Sequence, residues 1–182
     1  MAVGLLKRMF GGGTPPPAAT RPVPGNGQPG DVGIFAGLFV ATPEAVELWS
    51  IEQGVTPPDW PAIEFKRLET VKMGTLESIL TGVPYDDIDQ DDLHDLVREG
   101  GSDGPWISRL RQPLVDALST LEDSRIPVVA AAWADTDEFK VRPSDKASPA
   151  VIEDLSGGLA EMRGLAEVGR ERGEPMFLMM GL

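Results

Sequence analysis

The chain predicts an α+β fold: a single compact domain, residues 31–182, with a small mixed sheet packed by helices, preceded by an amino-terminal peptide and linker. Three observations carry this. Apolar runs of strand character open and close residues 31–182, and segments with helical spacing and capping residues lie between them. The two kinds of element do not alternate regularly enough for a doubly wound sheet. A length of 182 residues suits one core, and 41% hydrophobic residues can fill it.

Residues 11–30 are mostly Gly, Pro, Ala and Thr and offer almost nothing apolar to bury, so they read as a linker, flexible at the glycines and extended at the prolines. Val32–Val40 is apolar on both sides, the pattern of a buried strand. Thr42, Pro43 and Glu44 supply an N-cap, a first-turn proline and an early acid for a helix that Gly54 closes. Trp60 sits in a loop made by Pro57, Pro58 and Pro61. Ile63 to Val71 fits strand or helix, and Gly74–Gly82 reads as a short helix ending at Gly82. Leu96–Val97 and Trp106–Ile107 flank a glycine-rich turn and predict a hairpin. Leu114, Leu118 and Leu121 keep helical spacing, and Ile126–Pro127 opens an alanine-rich helix through Trp133. In the last helix Ser148 caps, Pro149 begins and Gly173 ends, with Val151, Ile152, Leu155, Leu159, Met162, Leu165 and Ala166 as one apolar stripe. Met176–Met180 then predicts a strand entering the sheet.

Charge is unevenly distributed. The formal net charge is −13, but residues 1–30 hold three of the 16 basic side chains and none of the 29 acids, so residues 31–182 carry −16. Nucleic-acid affinity rests on Lys and Arg meeting phosphates, and the absence of a basic stripe argues against a nucleic-acid partner. A basic protein surface is the partner that such charge would steer. Without Cys the chain has no disulfides, thiolate nucleophiles or Cys-based metal sites, which fits a cytoplasmic protein. No apolar run approaches the ~20 residues of a transmembrane segment, and Met1–Phe10 lacks the order of charges of a signal peptide.

Several motif matches lose their meaning in context. Gly25–Gly30 satisfies G-x-G-x-x-G, but a proline-rich stretch precedes it and a strand follows, so no dinucleotide or other cofactor is called for. Gly100–Gly104 satisfies G-x-S-x-G, yet Pro105–Trp106 follows where a nucleophile elbow requires a helix. Asp86, Asp87, Asp89, Asp91, Asp92 and Asp95 put six acids in ten residues beside the one histidine, His94. As a calcium loop starting at Asp87 this stretch has Asp92 in place of Gly and Arg98 in place of Glu, so no metal site is assigned. It reads first as a solvated acidic loop and second as a docking patch. His94 alone has no orienting partner to make it a general base.

Three pieces together resemble the YfbM-like bacterial domain family. Gly33–Ala36 with the Thr42–Pro43–Glu44 helix start is similar to the family's opening, Leu76–Gly82 to its Leu-Thr-Gly segment, and the last helix with Gly173 and an apolar strand to its ending. The resemblance spans roughly residues 31–182 and implies a small α+β fold with no established activity. Met73 and Glu77 stand where the family's Trp and His are expected, so no role of that His carries over.

In Met1–Phe10, Leu5, Leu6, Met9 and Phe10 fall on one side of a short helix beside Lys7 and Arg8. Such a peptide would order only in a groove, on its own domain or, weakly, at a membrane surface. The functional expectation is a non-enzymatic cytosolic protein-binding module, adaptor-like or immunity-like. Its candidate binding residues are these four, Trp60 and the six aspartates. The alternatives are a carboxylate-based or divalent-metal-dependent hydrolase using Asp86–Asp95, and a peripheral membrane-associated regulatory domain.

Overall fold

Alternation decides the architecture at the first strand. Ala36, Leu38 and Val40 point to one side of β1 (Phe35–Val40) and Phe39 to the other, and all four are fully buried, so both faces of the sheet are covered. The computed structural model describes residues 35–49, 59–66, 68–88, 95–99, 104–140, 142 and 146–181. All fall within one compact unit bounded by Val32–Leu182. The peptide 1–10, the linker 11–30, Gly33–Ile34, Asp89–His94 and Gly100–Asp103 lie outside the described residues.

Four further strands are β2 (Ala62–Lys66), β3 (Leu96–Glu99), β4 (Trp106–Arg109) and β5 (Met176–Gly181), in the order β2-β1-β5-β4-β3. The sheet is antiparallel throughout the described pairings rather than mixed as expected. The reason is where each strand starts. β2 begins beside the end of β1 (Phe39 opposite Ala62), β5 also begins there (Val40 opposite Met176), and β4 ends beside the start of β5 (Arg109 opposite Phe177). The carboxy-terminal strand is therefore central and is covered on both faces, which suits Met176 through Met179, all fully buried.

The helices are α1 (Pro43–Leu48), α2 (Thr70–Thr81), α3 (Gln112–Ser119), α4 (Ile126–Ala134) and α5 (Pro149–Arg172). The predicted caps act as such: the Thr42 and Ser148 hydroxyls accept from the amides of Ala45 and Val151 at 3.2 and 3.3 Å. Gly82 and Gly173 end α2 and α5 with φ of 75° and 66°, a left-handed conformation that glycine adopts without penalty. Two boundaries differ from expectation. α1 stops at Leu48 rather than continuing to Gly54, with Trp49 already extended. α2 starts at Thr70, so the ambiguous stretch is strand to Lys66 and helix from Thr70.

The larger core lies between the sheet and α2 to α5, where Leu38, Leu178, Leu76, Leu114, Leu118, Trp133 and Met162 meet. Each such side chain contributes roughly 1.5–3 kcal/mol of burial. The indole N–H of buried Trp133 donates to the Lys72 carbonyl at 3.0 Å and ties α4 to α2. The expected stripe of α5 is buried from Leu159 onward, whereas Ile152 and Leu155 are half-buried and Val151 is exposed. Among the described residues no helix is long and apolar enough to cross a membrane.

Candidate functional site

The opposite face of the sheet carries a second, thinner apolar layer. Phe39, Ile107, Phe177 and Met179 are fully buried beneath Val46 of α1, Trp49, Trp60 and Val97. Four rings meet there. Phe39 stacks on Trp60 at 5.2 Å and on Phe177 at 5.4 Å, and Trp49 stands edge-on to Phe39 at 6.2 Å and to Trp60 at 5.6 Å. Trp60, predicted in a proline loop, is thus packed against Phe39 and Trp49, and both tryptophans are half-buried.

Arg98 fixes α1 over this layer. Its guanidinium donates to the Val46 and Glu47 carbonyls at 2.9 and 2.8 Å, pairing two groups that the end of a helix leaves unsatisfied and placing a cation at the negative end of its dipole. One extra residue between Leu96 and Arg98 shifts the β3–β4 register, and Val97 packs on the thin layer. A patch results at the end of α1: Leu48 is 86% exposed and directly precedes half-buried Trp49. Glu44 and Glu47 of the same helix, and Asp59 beside Trp60, are exposed acids. Sequence reading singled out Trp60 but not Leu48, because the helix was expected to run on past it.

The acidic stretch is divided among elements. Asp86 and Asp87 are exposed in a single 3-10 turn, Tyr85–Asp87, that follows α2 and is anchored by buried Ile88. Asp95 is exposed at the start of β3, and its carbonyl accepts from the Arg109 amide at 3.0 Å. Asp89, Asp91, Asp92 and His94 lie outside the described residues, as do Leu5, Leu6, Met9 and Phe10. Among the described residues no three His, Asp or Glu are grouped to hold a metal ion. Asp95 lines a cleft of about 350 Å³ with Arg109, Leu110, Arg111, Gln112 and Pro113. Behind it Arg111, the residue before α3, pairs with Glu77 of α2 at 3.1 Å, and the Glu77 side chain is only 3% exposed, so the ion pair is largely buried.

β3 and β4 pair antiparallel, and the element that follows Gly104 is the strand β4 rather than a helix. That removes the setting a nucleophile elbow needs.

No family model matches the chain, and no curated protein matches it. Among solved structures, the chain is similar to the crystal structure of YfbM, a protein of unknown function from Escherichia coli. The identity is 14%, the match covers 81% of this chain and 99% of that one, and the TM-score is 0.40. YfbM names the family that the sequence motifs resemble.

Proposed function

We propose that this protein is a non-enzymatic, cytosolic protein-binding module, and that it recognises a basic partner through the patch at the end of α1. The observation that carries the reading is Leu48, 86% exposed and contiguous with Trp49 over a ring-packed layer. Binding energy at interfaces concentrates in a few anchors in a well-packed setting, enriched in Trp, Tyr and Arg. Trp49 and Trp60 have that setting, because Phe39 holds both and Arg98 holds the helix. The exposed acids Glu44, Glu47 and Asp59 form a polar surround, and the −16 of residues 31–182 favours encounter with a positive surface. The acidic stretch, with Asp86, Asp87 and Asp95, adds to the same field. Leu5, Leu6, Met9 and Phe10 supply a second, tethered contact in an apolar groove of the partner.

The test uses the full chain. A protein captured by it is identified and purified, and its affinity is measured calorimetrically against the parent chain, Leu48→Asp and the pair Glu44→Lys with Glu47→Lys. Loss of at least about tenfold in affinity for Leu48→Asp is the expected result, equivalent to about 1.4 kcal/mol. Affinity should also fall with added salt. Unchanged affinity in both variants overturns the reading. Binding that survives deletion of residues 1–10 and neutralisation of Asp86–Asp95 removes those two contributions from it.

A further inference from the structure

On the helix side of the sheet, away from the patch on α1, two adjoining cavities share the ring of Phe139. One of about 250 Å³ is lined by Phe65, Leu68, Lys72, Trp133, Asp154, Leu155 and Gly158, and the other, of about 170 Å³, by Lys140, Lys146, Ser148 and Val151 among others. We propose that together they bind a small amphipathic anion, a carboxylate with a compact apolar group, the apolar end within the aromatic cavity and the anion at Lys140 and Lys146.

The division of labour follows from the walls. The larger cavity has three rings, those of Phe65, Trp133 and Phe139. Gly158 permits the ring of Phe65 to lie close to α5, since a Cβ there would stand 3.0 Å from its edge. The charges of this cavity do not favour an anion. The Lys72 ammonium is 3.4 Å from Glu69 and 5.2 Å from the centre of the Phe139 ring, and the Asp154 carboxylate adds a negative charge. An apolar group suits it, and a fragment of one ring or a short acyl chain suits its size, which is below that of pockets for larger ligands.

The smaller cavity has the opposite character. Lys140 is held at 3.1 Å by Asp135, and Lys146 is exposed. Residues 31–182 contain four lysines, and three of them line these two cavities although the same residues carry −16. Glu69 and Asp135 each balance one of these lysines, Lys72 and Lys140, so the charge that draws an anion here is that of exposed Lys146. α5 links the cavities, with Val151 in one and Leu155, one turn on, in the other. This is also the half of α5 whose apolar stripe the core leaves incompletely covered.

The probes are 4-phenylbutyrate, octanoate and the neutral 4-phenylbutanol, titrated calorimetrically into the full chain, with amide chemical shifts to locate them. Either acid should bind with a dissociation constant on the order of 1 mM or tighter, the range for so small a ligand. Shifts should centre on Trp133, Phe139 and Leu155. Lys146→Glu, an exposed change that leaves packing alone, should weaken both acids several-fold, and Lys140→Glu with it at least about tenfold. Leu155→Trp should abolish binding by filling the larger cavity; should that variant not fold, Lys146→Glu still decides. Tighter binding of octanoate assigns an acyl chain, and tighter binding of phenylbutyrate an aromatic acid. Equal affinity for acid and alcohol, indifference of the acids to charge reversal, or no binding of either acid at about 10 mM overturns the proposal.

Discussion

Gly169→Ala should destabilise this protein although it replaces a poor helix former with the best one. Within a helix the exchange gains about 1 kcal/mol from reduced backbone freedom in the unfolded chain and better propensity. At Gly169, however, a Cβ would stand 3.0 Å from the Glu174 carbonyl oxygen and 3.3 Å from Val40 Cγ2. Neither can yield freely. The amide of Glu174 donates to the Gly169 carbonyl at 2.9 Å to close the turn out of α5, and Val40 is fully buried in β1. Overpacking against such neighbours costs roughly 1–3 kcal/mol, so the net change is a loss of about 1 kcal/mol. Gly157 and Gly164 are the controls, because a Cβ at either meets nothing within 4 Å and the whole propensity gain should appear as stability. Gly158→Ala falls between them, since its one close neighbour is the edge of the Phe65 ring, which borders a cavity and can turn into it. Urea denaturation of the four variants measures the differences directly, and thermal midpoints should separate Gly164→Ala from Gly169→Ala by roughly 5 °C at 2–4 °C per kcal/mol. A Gly169→Ala variant as stable as Gly164→Ala would refute the close packing of α5 on β1.

Arg98→Ala removes both donors from the end of α1 and should cost about 1–2 kcal/mol, less than two fully buried charged hydrogen bonds because one of them is exposed. Faster amide exchange confined to α1 and a red shift of tryptophan emission are the accompanying signs, and their absence would mean that apolar contact alone holds the helix. Glu77→Ala strips Arg111 of a buried partner and should cost about 3 kcal/mol in urea titration, the low end for breaking a buried pair because Arg111 is 17% exposed. A loss below about 1 kcal/mol would show that the pair contributes little.

Helix ends were legible because their signals are local. Ser148 and Pro149, Gly82, Gly173 and Thr42 act within four residues of themselves, and the structure uses each as read. The start of α2 was not legible for the same reason: Glu69 precedes it without a side-chain cap bond, and its buried face includes Thr70, Lys72 and Glu77. Those polar residues interrupt the apolar period and make sense only once Glu69, Arg111 and Trp133 are in place beside them. Trp60 could be named as a ring among prolines, but not as a ring stacked on Phe39, a residue that lies before α1 in the chain.

The amino-acid sequence by itself determined the class of fold, the helix ends marked by Thr42, Gly82, Ser148 and Gly173, the pairing of β3 with β4, and the concentration of negative charge in residues 31–182. Tertiary structure alone decided that Leu38 lies opposite Leu178, that β5 is central and the sheet antiparallel, that α1 ends at an exposed Leu48, and that three lysines border two cavities. Caps, periodicity and charge are properties of neighbours along the chain. Strand order, register and cavities depend on which distant segments exclude water together, and many pairings satisfy one pattern of apolar residues until packing selects among them.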